Sequence, residues 1–366
     1  MRNLLILALT LISFNMLRGQ SKTLKIGIAG LTHTHVHWLL GREAFEDIEI
    51  VGIAEPDKAL AARYAKQYGF SMELVYDSLE EMVEATSPEA ITAFGTIAAH
   101  LEVVEFAAPR GIHVMVEKPL AISLKDAERM ASLARKYNIH LLTNYETTWY
   151  ATHHELKSRL DAGEIGALRK VVIRDGHRGP KKIGVNKEFL EWLTHPEYNG
   201  AGALMDFGCY GANLMTWLME GQRPLSVTAV TQQLQPENNP LVDDEAMIIL
   251  TYPKANALIQ ASWNWPIGRK DMEVYGLKGV LYADNGKDLR KRIAEGYDGY
   301  QEEQFSVKER AYPVNDPFAY LVAVVRGEIN RAPTDLSALE NNLLVMEILE
   351  AAMKSARTGE TVHLPE

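Results

Sequence analysis

From residue 24 onward, short apolar runs alternate with amphipathic stretches of helical spacing. Residues 24–30, 48–54, 90–95, 112–116 and 140–143 read as strands. Between them, residues 58–68, 79–85, 100–109 and 124–137 carry the helical period, and a helix starts near residue 36. Strands that alternate with helices in this way predict a parallel sheet covered on both faces. The texture changes after Tyr145. Residues 154–161 read as a helix, 167–174 as a strand and 178–196 as a polar, aromatic-spotted loop, and residues 206–219 as a helix. Residues 225–233, 246–252, 256–263, 271–276 and 280–283 then follow as strands with no helix between them. Such a run predicts an antiparallel sheet, hence an α+β second domain. A long helix over residues 336–357 precedes Thr358-Gly359.

The segment before residue 24 has a different character. Arg2, an apolar run over residues 4–14 and a polar stretch ending at Gly19-Gln20 form the pattern of a signal peptide. The run is shorter than the ~20 residues a membrane span needs. The expected organisation is a signal peptide over 1–20, a first domain over 22–145 and a second over 146–366. The mature protein is expected to be exported to the periplasm, with no membrane span.

Composition narrows the function. The 366-residue chain carries 38 Lys and Arg against 48 Asp and Glu, a net charge of −10. Proteins that neutralise a phosphate backbone are usually basic, so nucleic acid is not an expected partner. The single cysteine, Cys209, excludes an intramolecular disulfide and any multi-cysteine metal site.

Three constellations carry chemistry. The first is the turn after the first strand, where Gly30 precedes a helix. A dinucleotide fold needs glycine there so that pyrophosphate can approach backbone N–H groups. Only the first glycine of G-x-G-x-x-G is present; Thr32 and His35 stand at the other two positions. Glu55, at the end of the second strand, is placed to accept from ribose hydroxyls and to repel a 2′-phosphate, which favours NAD over NADP. The second is Glu117-Lys118-Pro119 at the carboxyl end of a strand. A lysine there is expected to be partly desolvated, with a lowered pKa suited to proton transfer. The third is the Gly-rich run 200–211, which leads into Asp206 and Tyr210, one helical turn apart. His33 and His37, four apart in a His-rich turn, invite a metal reading, but no third ligand lies nearby, and no metal is expected.

These residues, together with the segment 96–100 (Thr96 to His100), the GIHVMVEKPLA run over 111–121 and the SARTGETVHL tail, resemble the Gfo/Idh/MocA oxidoreductases. The resemblance implies a Rossmann domain followed by an α+β domain with an open, mostly antiparallel sheet. It implies an active-site Lys118 and Asp206, with Tyr210 where many members have histidine. Gly30, Thr32, His33, His35, Glu55, Thr96, His100, Glu117 and Lys118 are then expected at NAD. Tyr145, Trp149, His177, Arg178 and Trp192 are expected to face a sugar or glycoside. Tyr210 or Lys118 is expected to take the hydroxyl proton, and Asp206 to orient the hydroxyl. Trp263 and Trp265 are expected to be sheet or interface core. Copies of the chain are expected to form a homo-oligomer through the second sheet. The expected reaction is oxidation of a secondary hydroxyl, C3 of a glucoside in first place. A redox-neutral NAD-dependent glycosidase and a non-catalytic sugar-binding protein are the alternatives.

Overall fold

The computed structural model describes residues 23–42 and 46–365, so the expected signal peptide lies outside the described residues. Six parallel strands form the first sheet: β1 (Leu24–Ala29), β2 (Ile48–Ala54), β3 (Val75–Tyr76), β4 (Ala90–Ala93), β5 (His113–Glu117) and β6 (Leu141–Asn144), in the order β3-β2-β1-β4-β5-β6. This is the doubly wound order whose strand ends form a dinucleotide crevice. β4 and β6 are buried at every residue, as strands covered on both faces must be. The flanking helices are stopped and started by their own sequence. Asp57 accepts from the amides of Ala59 and Leu60 to cap Lys58–Tyr68, and Gly69 ends that helix at φ 78°. Ser123 caps Leu124–Tyr137, and Asn138 ends it in the left-handed region.

The second sheet has nine strands, β7 (Leu168–Gly176), β8 (Ser226–Gln232), β9 (Glu245–Thr251), β10 (Asn256–Ser262), β11 (Arg269–Gly276), β12 (Gly279–Ala283), β13 (Asp288–Glu295), β14 (Gly299–Ser306) and β15 (Val362–His363). Their order is β14-β13-β12-β11-β7-β10-β9-β8-β15, and only the β7/β10 pair is parallel. The long helix Leu339–Thr358 packs on β8 and also on Leu124–Tyr137, which ties the two domains together.

The structure corrects the sequence reading in four places. The expected loop over 178–196 holds two short helices, Pro180–Ile183 and Lys187–Leu193, the second burying Phe189, Trp192 and Leu193. The expected helix over 206–219 is broken at Phe207 into Ala203–Asp206 and Gly208–Leu218. β13 and β14 were not expected; most of their residues are partly or fully exposed, so no apolar alternation marks them. Finally, the chain after β14 returns to the first domain. Helix Pro317–Val325 sets Tyr320, Leu321, Val322 and Val324 against Leu24, Ile26, Ala90, Met115 and Leu142. The unit built on the first sheet therefore includes residues beyond 145.

Candidate active site

The site begins at the carboxyl ends of the first sheet. Gly30 has φ 80°, and a Cβ there would lie 2.9 Å from Gly95 Cα, so glycine is required for the two strand ends to approach. A cavity of about 400 Å³ opens here, lined among others by Gly30, Pro56, Ser78, Gly95, Thr96 and His100. Glu55 is buried and accepts from the Leu31 and Asp57 amides, each at 2.9 Å. Burial raises its carboxyl above the ordinary value. Thr32 Oγ1 is buried and without a partner among the described residues. The glycine cradle, the carboxylate at the end of β2 and the orphaned hydroxyl fit NAD: Glu55 would hold a ribose, and the turn over 30–34 the pyrophosphate. Thr96 accepts from the Ala99 amide at 3.2 Å. His100 is fully buried against the Leu120 carbonyl, and burial pushes it down to about 4.

At the end of β5 the two domains meet. Lys118 and Asp206 are both buried and form an ion pair. The other oxygen of Asp206 accepts from Trp263 Nε1 at 2.9 Å. Burial, the largest single influence, would lower the Lys118 pKa, but Asp206, Cys209 and Glu117 together outweigh it and the net direction is up. The same pair holds Asp206 below the usual carboxylate range against its own burial. The expected lowering of the lysine is therefore not the net direction: the charged and polar neighbours together exceed the effect of desolvation. Trp263, expected as plain core, is fully buried and also a ligand of Asp206.

Tyr210 stands beside this pair, with Lys118 Nζ 5.4 Å and Lys270 Nζ 4.9 Å from its ring centroid. Burial and the surrounding carboxylates push its phenol well above 10. Lys270 is ion-paired to Glu146, whose other oxygen accepts from the Tyr150 hydroxyl at 2.5 Å. Asp175 sits opposite Lys270 in the β7/β11 register and is buried, with both oxygens unpartnered among the described residues. A cavity of about 780 Å³, lined among others by Glu146, Tyr150, His177, Phe207 and Lys270, opens next to these groups. The sequence reading missed Lys270, Glu146 and Asp175. They stand in no motif: strand register sets Asp175 opposite Lys270, and the turn after β6 brings Glu146 to Lys270.

The histidine turn is arranged differently from either expectation. His33 is fully buried, its ring 4.8 Å from Phe189 and 5.6 Å from Trp192, so both His33 and Trp192 are packed inside rather than facing a ligand. His37 bonds the Tyr68 hydroxyl at 2.7 Å, so the His33/His37 pair does not form. His33, His35 and Glu117 do bring ligand atoms within 4.8 Å of one another. However, His33 Nδ1 accepts the His35 amide and His35 Nδ1 lies 2.7 Å from Glu117. These bonds place the His33 proton on Nε2, which is buried and has no partner among the described residues.

The remaining candidates divide. His177 lines the larger cavity, and its ring meets Phe207 edge-on at 5.0 Å. Tyr145 is buried and meets Tyr210 edge-on at 5.4 Å. Trp149 is turned away: its Nε1 donates to Asn144 and its ring packs on Tyr320. Arg178 is exposed.

Comparison with known proteins is consistent with this arrangement. Residues 24–145 match the oxidoreductase family, NAD-binding Rossmann fold, and residues 153–282 match the GFO/IDH/MocA C-terminal domain. The chain is 25% identical to a trans-1,2-dihydrobenzene-1,2-diol dehydrogenase of Xenopus tropicalis, over 74% of this chain and 76% of that one. Its fold is similar to that of an aldose–aldose oxidoreductase from Caulobacter crescentus solved with glycerol (TM-score 0.75, 22% identity, 93% of this chain and 100% of that one). It is also similar to that of an inositol dehydrogenase homologue from Azotobacter vinelandii in complex with NAD+ (TM-score 0.79, 18% identity, 94% and 98%).

Proposed function

The chain belongs to the Gfo/Idh/MocA family of NAD-binding oxidoreductases acting on sugar or diol hydroxyls, and from that premise we propose that it oxidises a secondary ring hydroxyl of a neutral hexose or glycoside, C3 of a glucoside in first place. The observation that carries this reading is the buried Lys118–Asp206 pair beside Tyr210, next to a cavity with aromatic and charged walls. NAD, when bound, supplies the hydride acceptor. Lys118 and Tyr210, both held protonated, donate to the substrate oxygen and fix the carbinol carbon. Asp206 keeps the ammonium in place. Tyr150, His177 and Phe207 offer polar and apolar faces to a pyranose ring.

Export of the mature chain, proposed from residues 1–20, supports the choice of C3. Free nucleotide is not expected outside the cytoplasm, so NAD would stay bound and be recycled in place. A C3 ketone acidifies C2–H and opens a route to cleavage at C1. N-terminal sequencing of protein from the periplasmic fraction tests export; an unprocessed cytoplasmic chain would refute it.

For the reaction, purified protein is denatured and the released nucleotide identified; NAD(H) is expected, and NADP(H) would contradict the role of Glu55. Glucosides, free sugars, polyols and dihydrodiols are then offered with an artificial electron acceptor, and products are trapped with borodeuteride. Deuterium at C3 is the expected result. Free sugar without deuterium would identify a redox-neutral glycosidase, and deuterium only at C1 an aldose dehydrogenase.

We also propose that the outward face of the second sheet pairs with a second copy. Val230, Met247 and Ile249 are 61%, 45% and 46% exposed there, an apolar stripe unusual for a solvated sheet. Light scattering should report a dimer that Ile249→Lys splits; a monomeric parent would end this reading.

A further inference from the structure

The described groups leave the destination of the hydroxyl proton open. Asp206 accepts from Lys118 on one oxygen and from Trp263 on the other, and the pKa shifts of Lys118 and Tyr210 both run toward the protonated form. One side chain in the cluster has a free lone pair and a carboxylate behind it. His35 Nδ1 lies 2.7 Å from Glu117 Oε2. The other Glu117 oxygen accepts from Asn144 Nδ2 at 2.8 Å, so the carboxylate is fixed in orientation. The imidazole is stacked on Trp38 with centroids 3.8 Å apart, and the His35 amide is tied to His33. The ring is therefore held by its face, by its backbone and by Nδ1. Nε2 has no partner among the described residues, and the side chain is 15% exposed rather than sealed.

We propose that His35, oriented by Glu117, is the catalytic residue that takes up the proton of the reacting hydroxyl. The charged and titratable groups around it are His33, Glu117, Lys118, Lys270, Glu146 and Asp206. Burial and the two ammonium groups keep the imidazole neutral at rest, so Nε2 presents a lone pair. The O–H bond breaks, and its electron pair becomes the second bond of the carbonyl. The proton bonds to Nε2, and the resulting imidazolium keeps its Nδ1–H on Glu117, which balances the charge. The hydride leaves carbon for the cofactor of the proposed reaction. Glu117 acts here as a positioning residue, setting the tautomer.

This inference rests on the hydride-transfer reading, and its test separates the two. His35→Gly installs the residue that the dinucleotide fingerprint carries at this position, so the turn should fold and keep its nucleotide. Single-turnover nicotinamide reduction should fall by about 10²–10⁴-fold and recover when imidazole is added. Recovery should follow the basicity of the added imidazole. An unchanged rate, a loss that imidazole does not restore, or loss of bound nucleotide would each overturn the role of His35. Nitrogen-15 NMR of histidine-labelled wild-type protein gives a readout independent of turnover. A bare Nε2 with the proton on Nδ1 is expected, changing on Glu117→Gln; a protonated Nε2 at neutral pH would overturn the proposal. A wild-type protein that reduces no bound nucleotide with any sugar would instead defeat the hydride-transfer reading.

Discussion

Replacing Lys118 by alanine is expected to slow nicotinamide reduction by about 10²–10⁴-fold while the nucleotide stays bound. The nucleotide cavity is built from Gly30, Pro56, Gly95 and Thr96, with Glu55 close by, and these do not depend on the ammonium. The same change strips Asp206 of its charge partner in a buried position. Breaking a buried pair by removing one member typically costs about 3–5 kcal/mol. The sign of the pH dependence follows from the carboxylate. Without Lys118, burial raises the pKa of Asp206 above its unfolded value, so the cost is largest at neutral pH. It shrinks as acid protonates the group. Denaturant melts across pH and single-turnover kinetics with a responsive sugar measure the two effects. The double variant Lys118→Met/Asp206→Asn should recover much of the stability and none of the rate. A rate within threefold of wild type for Lys118→Ala would remove the lysine from the chemistry.

Gly202→Ala should be the most damaging single-methyl change at the site. A Cβ on Gly202 would lie 1.7 Å from the Asp243 carbonyl oxygen and 2.8 Å from its carbon. That backbone cannot retreat. The Asp243 carboxylate accepts the Gly202 and Leu204 amides at 2.9 and 2.7 Å, and its carbonyl accepts the Ala203 amide at 3.0 Å. These bonds thread the segment that delivers Asp206 to Lys118. A loss of about 3 kcal/mol or more is expected, with activity falling in protein that still folds. Gly268→Ala is the control, since nothing lies within 4 Å of its added Cβ. It should stay within about 0.5 kcal/mol of wild type. Equal midpoints for the two variants in denaturant melts would contradict the packing argument.

What could be read from sequence was what neighbours in sequence decide. The ranges of β2, Lys58–Tyr68 and Leu124–Tyr137 come out as expected, because apolar period and capping residues agree within each segment. The lysine of Glu117-Lys118-Pro119 and the aspartate behind the Gly-rich run meet as the family resemblance implies. Contacts between segments distant in sequence were invisible. Lys270 reaches Glu146 across 124 positions, and Trp263 reaches Asp206 across 57. β14 reads YQEEQFS after its glycine, and its charged side chains find partners on β13, as Glu302 does with Arg292. The polarity of the turn over 32–37 suggested ligands, whereas His33 is spent on Phe189 and Trp192, two aromatics from a stretch that read as loop.

The return of Pro317–Val325 to the first domain has a consequence for synthesis. A ribosome that has released residues 24–145 has made all six strands of the first sheet, but not the helix that covers Leu24, Ile26, Ala90, Met115 and Leu142. Those side chains stay open to water until the whole second sheet except β15 has emerged. The first-made half is therefore completed nearly last, and the nascent chain carries a sticky, unfinished surface through most of its elongation.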